Sequence, residues 1–149
     1  MLPLKKIVCP TDFSEPAGKG IDIASELAEQ FSAELLLVHV IEYFPNMHAG
    51  IAPPYMTSVL KEMQATAESL LDKIRKERIP KDIPVRIFVI QGKASNAIVD
   101  LANKENADII VIPTHGESGW EQFVFGSVTE KVVRFAECPV LTIRSPGKE

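Results

Sequence analysis

Three stretches of the sequence carry residue types and spacings that could do chemistry. The first is VIPTHGESGWEQFVFGSVTEK, residues 111–131, where an apolar run enters a polar loop with glycines at 116, 119 and 126 and a serine at 127. Glycines between a strand and a helix leave room for an anion, and the free N–H groups of a helix N-terminus attract one. Ser127 followed by Glu130 fits a capping box, which predicts that Ser127 caps the last helix. Gly126, Ser127, Val128 and Thr129 are therefore candidate phosphate contacts, with Gly116 on the opposite limb of the loop. A plain glycine loop before a well-capped helix would look the same, and residue types alone leave both readings standing. Neither G-x-x-x-x-G-K-[ST] nor G-x-G-x-x-G occurs.

The other two stretches are turns at strand ends. Pro10-Thr11-Asp12 follows the first apolar run, and Pro113-Thr114-His115-Gly116 follows the fourth. His39-Val40-Ile41 closes the second. Three histidines in the chain do not make a metal cluster by spacing, and His115 has no nucleophile or carboxylate assigned beside it. His39, on an apolar strand, reads as a hydrogen-bonded core histidine, and Trp120 as a surface or contact residue. Cys9 and Cys138 have neither metal nor C-x-x-C spacing and read as small buried hydrophobes.

These turns need a scaffold, and the hydrophobic periodicity supplies one. Strands are expected at 4–9, 34–41, 84–90, 108–113 and 138–144. Helical spacing appears over 15–31, with Ser14 as N-cap and Pro16 in the first turn, and again over 57–78, 94–105 and 127–136. The order is strictly alternating. The second and fourth strands are nearly continuous apolar runs, as expected when helices cover both faces. That implies an α/β fold: a single doubly wound, Rossmann-like parallel sheet of five strands, one domain over 1–149. Ligands in such sheets bind at the carboxyl ends of strands beside the switch point, where all three turns would lie. Residues 42–56, with three prolines, form the one long connection, a candidate lid or a contact insertion.

Bulk properties remove other classes. The chain has 149 residues, 46% hydrophobic and 24% charged, enough for a full core, and a net charge of −4 that argues against nucleic acid. The basic run 73–81 reads as a solvated helix end. The longest apolar stretch, 35–41, is too short to cross a bilayer, and no leader-like segment precedes it, so a cytoplasmic protein without membrane partners is expected.

The sequence resembles the universal stress protein family, of its adenine-nucleotide-binding type, from about Lys5 to Arg144. The likeness rests on IVCPTDFSE, LLLVHVI, DIIVIPTHG and FGSVTEKVVRFAECPVLTIR. It implies a sheet ordered 3-2-1-4-5 and a homodimer through strand 5. It also implies ATP or another adenine nucleotide as ligand, whether or not Mg²⁺ accompanies it. The family pattern is G-x-x-G, nine residues, then G-[ST]. Gly116, residues 117–125, Gly126 and Ser127 match it, but Pro113 stands at the first glycine. By resemblance, Asp12 and the backbone of Val40 face the adenosine, and Gly116, Gly126, Ser127 and Val128 line the ribose and phosphates. Pro10, Thr11, Pro113, Thr114, His115 and Thr129, in the same turns, complete the candidate binding residues.

The implied strand order also bears on the cysteines. Cys9 and Cys138 would lie about two strand spacings of ~4.8 Å apart, beyond disulfide reach, so both should be free thiols. Pro113 leaves three outcomes open. It fails where a positive φ is required, intrudes where clearance is required, and fits where the backbone is extended. The functional readings are correspondingly a nucleotide-binding stress or signalling module and a nucleotide-free homodimeric interaction protein. A slow ATPase is the most that an enzymatic reading could claim, since no general base is identified and Asp12 is the sole candidate metal ligand.

Overall fold

The computed structural model describes residues 2–42, 54–114 and 126–144. Its elements alternate as expected: β1 (Lys6–Pro10), α1 (Glu15–Phe31), β2 (Glu34–Ile41), α2 (Tyr55–Arg78), β3 (Val85–Gln91), α3 (Ala94–Glu105), β4 (Ile109–Pro113), α4 (Ser127–Phe135) and β5 (Val140–Ile143). All strand pairs are parallel, and the order is β3-β2-β1-β4-β5. The chain winds outward from β1 to β3, returns across β1, and winds the other way through β4 to β5. The switch point therefore lies between β1 and β4.

Strand alternation divides the core in two. Ile7, Cys9, Leu35, Leu37 and Val111 face Ile21, Ala24 and Ala28 of α1 and Leu71 of α2. Val8, Leu36, Val38, Ile110 and Ile112 face Ile98, Leu101 and Ala102 of α3 and Val132 of α4. Both faces of the central strands are thus dry, which is why β2 reads as a nearly continuous apolar run. Helix α1 begins as its sequence indicates. Ser14 is extended and accepts the Ala17 N–H, and proline occupies the first turn.

The element ends depart from expectation in informative ways. Strand β1 starts at Lys6 because one oxygen of the Asp108 carboxylate takes the N–H groups of Lys5 and Lys6, at 2.8 and 2.9 Å. Helix α2 begins at Tyr55, and β5 at Val140, so Cys138 precedes the strand instead of belonging to it. Cys9 packs on the α1–α2 side of the sheet and Cys138 on the α3–α4 side, and both are free thiols. The basic run ends α2 as a solvated face. Arg75 and Lys76 pair with Asp72, and Arg78 reaches Asp22 of α1 at 2.7 Å. Of the long connection at 42–56, residues 43–53 lie outside the described residues, as do His115, Gly116 and Trp120.

Candidate functional site: a cavity at the switch point

A cavity of about 220 Å³ opens at the carboxyl ends of β1, β2 and β4. Pro10, Thr11 and Asp12 wall it from β1, Val40 from β2, Pro113 from β4, and Gly126, Ser127, Val128 and Thr129 from α4. The fold thus gathers residues that are more than 100 positions apart in the chain. Thr114 is buried behind the cavity and does not line it. Val38, His39 and Ile112 complete the floor, with Ala17, Ala94 and Ile98 from α1 and α3. Sequence reasoning missed Ala94 and Ile98. Their only signal was their place at the start of the helix that follows β3.

The β1 limb is a rigid turn. The Thr11 N–H donates to Val38 O at 2.9 Å. The Thr11 side chain accepts from Phe13 N, and Asp12 Oδ1 accepts from Ser14 N at 2.9 Å. Phe13 sits at φ 65°, a left-handed conformation held by these two side-chain bonds. The His39 ring lies 4.4 Å from the Phe13 ring, and its Nδ1 is 2.8 Å from Thr11 O. A carbonyl only accepts, so Nδ1 carries the proton. His39 is thus the hydrogen-bonded structural histidine expected, and it buttresses this turn.

Val40 offers backbone. Glu34 N and Val38 O bond to the β1 side of β2, through Lys5 O and Thr11 N. Alternation turns Val40 to that same side, one step past the end of β1. Its N–H and C=O therefore face the space above the switch point.

The α4 limb corrects the capping expectation. The N-cap is Gly126, at φ −66° and ψ 161°, and no side chain caps the helix. Ser127 is the first helical residue, so Glu130 lies one position too late for a capping box and pairs instead with Arg134 at 2.9 Å. The Gly126 N–H donates to Thr114 O at 2.6 Å. Thr129 Oγ1 donates to Pro113 O at 2.7 Å. These two bonds pin the helix start to the end of β4. The N–H groups of Ser127, Val128 and Thr129 remain as the open donors of the first turn, beside the cavity. Gly126 adopts dihedrals open to any residue, so clearance is what a glycine offers there.

The sequence model of the universal stress protein family matches residues 3–144. The chain belongs to the universal stress protein family. It is 33% identical over 147 residues to universal stress protein MJ0531 of Methanocaldococcus jannaschii, covering 97% of this chain and 85% of that one. The structure of the MJ0577 protein of the same organism superposes with a TM-score of 0.80 at 28% identity, covering 97% of this chain and 99% of the other. Two structures share the fold at lower identity. A universal stress protein in complex with cAMP has a TM-score of 0.67 at 21% identity, covering 95% of this chain and 97% of that one. One from Archaeoglobus fulgidus in complex with dAMP has a TM-score of 0.64 at 23%, covering 96% and 99%.

Against the universal stress protein pattern, Pro113 has an extended backbone, the conformation that a proline fits, and its ring borders the cavity. It continues β4, paired with Ile143. Ile110 donates to Pro139, just before β5, and Thr114 to Ile143 on it, so alternation points the nitrogen of residue 113 toward β1. The β1–β4 register ends at Val8 and Ile110, so the strands have parted at that level and the proline costs the ladder no bond. Its ring leans on α1, with Cδ 3.5 Å from where a Cβ on Gly20 would stand.

Proposed function

We propose that this protein is a stress-response or signalling module that binds ATP or a related adenine nucleotide in the switch-point cavity. One observation carries the reading. The uncapped first turn of α4, the Asp12 carboxylate and the outward backbone of Val40 border a single cavity. In this arrangement the Val40 N–H and C=O suit the edge of a base, Asp12 suits ribose hydroxyls, and Ser127–Thr129 suit phosphate. The cAMP and dAMP complexes of proteins with this fold support an adenine nucleotide as the ligand class.

Magnesium would enter with the nucleotide. Among the described residues, Asp12 is the one carboxylate lining the cavity, and no group of three or more acidic, histidine or cysteine side chains gathers there. That donor set fits an ion held mainly by phosphate oxygens and water, with Asp12 as its single protein ligand.

The protein would act as a homodimer through β5. That strand ends the sheet, and Leu141 on it and Val133 and Phe135 on α4 expose apolar surface. A second reading, a nucleotide-free dimeric interaction protein, draws on the departure at Pro113 and on this same surface. Titration calorimetry of purified protein with ATP and Mg²⁺ separates the two. The first reading requires saturable heat that the Gly126→Val variant loses. No heat at millimolar nucleotide, and none retained through purification, would leave only the second.

A further inference from the structure

The α3 wall of the cavity is held from the end of β2. Val38 and Val40 of β2 pack on the α3–α4 side of the sheet, in the cluster that contains Ile98. On α3, Ala94 lies one turn before Ile98, so the two share a face, and both line the cavity. Glu42, two residues past Val40, reaches that same side: its Oε1 accepts the Ala94 N–H at 2.8 Å. This N–H is an orphan donor of the first helical turn, and the N-cap residue, Lys93, provides no side-chain cap. Just before it, Gly92 turns the chain at φ 152°, which few other residues adopt, and its N–H donates to Ile41 O at 3.0 Å. The start of α3 thus hangs from the end of β2 by one main-chain bond and one carboxylate bond.

The two wall residues are held differently. Ile98 is 2% exposed and fixed by packing. Ala94 is only partly buried and has just a methyl group to pack, so the upper end of the wall depends on its bond to Glu42. A carboxylate suits this place, because the helix N-terminus favours negative charge and bonds to an ionised acceptor are the stronger ones. Glu42 itself does not line the cavity. We propose that Glu42 is a positioning residue for the nucleoside end of the cavity: it sets the gap between the Val40 backbone and the α3 wall, and leaves the phosphate end at α4 untouched. The inference rests on the nucleotide reading above and adds a residue that governs it from outside the cavity.

The test is a double-mutant cycle on Glu42 and the Ala94 N–H, read by ATP titration calorimetry at fixed salt. Glu42→Ala should weaken ATP roughly three- to tenfold. Glu42→Gln keeps an acceptor oxygen and should stay within about threefold of the wild type. Ala94→Pro removes the donor at the first helical position, after an extended residue, where a proline is tolerated. In that background Glu42→Ala should change ATP affinity by less than about twofold, because the bond is already absent. Amide shifts at saturating ATP give a second readout: Glu42→Ala should alter those at Val40 and preserve those at Gly126–Thr129. Unaltered ATP affinity in Glu42→Ala, an equal loss in both backgrounds, or shifts altered mainly at α4 would overturn the positioning role while leaving the nucleotide site intact. Absence of ATP binding to the wild type would overturn both.

Discussion

Replacing Pro113 by glycine restores the residue that the family pattern carries, and the structure indicates how little the binding site should gain. Position 113 is extended and its nitrogen faces the gap between β1 and β4, so the proline neither breaks a ladder bond nor demands an unusual φ. Glycine there frees the unfolded chain. Loss of the proline constraint costs about 0.4–1 kcal/mol, and the extra freedom of glycine about 0.5–1 more. The ring contact at Gly20 is lost as well. A total of about 1–2 kcal/mol lowers Tm by roughly 2–8 °C in a domain of this size. On the binding side, the regained N–H could add at most one hydrogen bond, about 0.5–1.5 kcal/mol. ATP affinity should therefore rise by no more than about tenfold. Thermal melts and ATP titrations of the two proteins check both numbers. A gain of a hundredfold, or a variant more stable than the wild type, would show that the proline obstructs the cavity or strains the strand.

Three further outcomes follow from local geometry. Thr129→Val removes the donor to Pro113 O and leaves a part-buried acceptor unpaired, which should cost about 1 kcal/mol; a melt shifted by less than a degree would mean that the bond does not tether α4. Burial pushes the Cys9 thiol up to about 12 and raises the half-buried Cys138 less far, so a disulfide reagent at pH 8 should label Cys138 slowly and Cys9 only on unfolding. Equal labelling of both in native protein would contradict the packing. Burial pushes the Asp108 carboxyl upward, but the N–H groups of Lys5 and Lys6 outweigh it, and the net shift is downward. Its contribution is then complete above the unfolded value near ~4 and is lost as pH falls through the lower folded value. Asp108→Asn should accordingly lower Tm at pH 7 and much less at pH 3, and a pH-independent difference would refute this linkage.

Most of the architecture was readable from periodicity, because helices cover both faces of the central strands, and β2 and β4 therefore read as nearly continuous apolar runs. The strand order came from the family resemblance; local pattern carries no information about which strands are neighbours. The errors fall where short-range signals compete. Ser127 and Glu130 have capping-box types and the helix does open at Ser127, but with tertiary bonds from Gly126 to Thr114 and from Thr129 to Pro113 the N-cap is Gly126, one residue earlier than a capping box requires. The Asp108 clamp on Lys5 and Lys6, spanning about a hundred residues, likewise has no local signature. Within the site, the turn Pro10-Thr11-Asp12 and the α4 start were legible as residue types. The parts that Ala94 and Ile98 take depend on α3 and α4 packing side by side, which only the folded chain reveals.

The central claim is that an adenine nucleotide sits at the switch point between β1 and β4. Amide chemical-shift mapping of ¹⁵N-labelled protein titrated with ATP and Mg²⁺ tests it most directly. Saturable shifts should concentrate at Thr11, Asp12, Val40 and Gly126–Thr129. No shifts at millimolar ATP, or shifts confined to the groove between β3 and α3 lined by Phe88, Asn96 and Asp100, would contradict it.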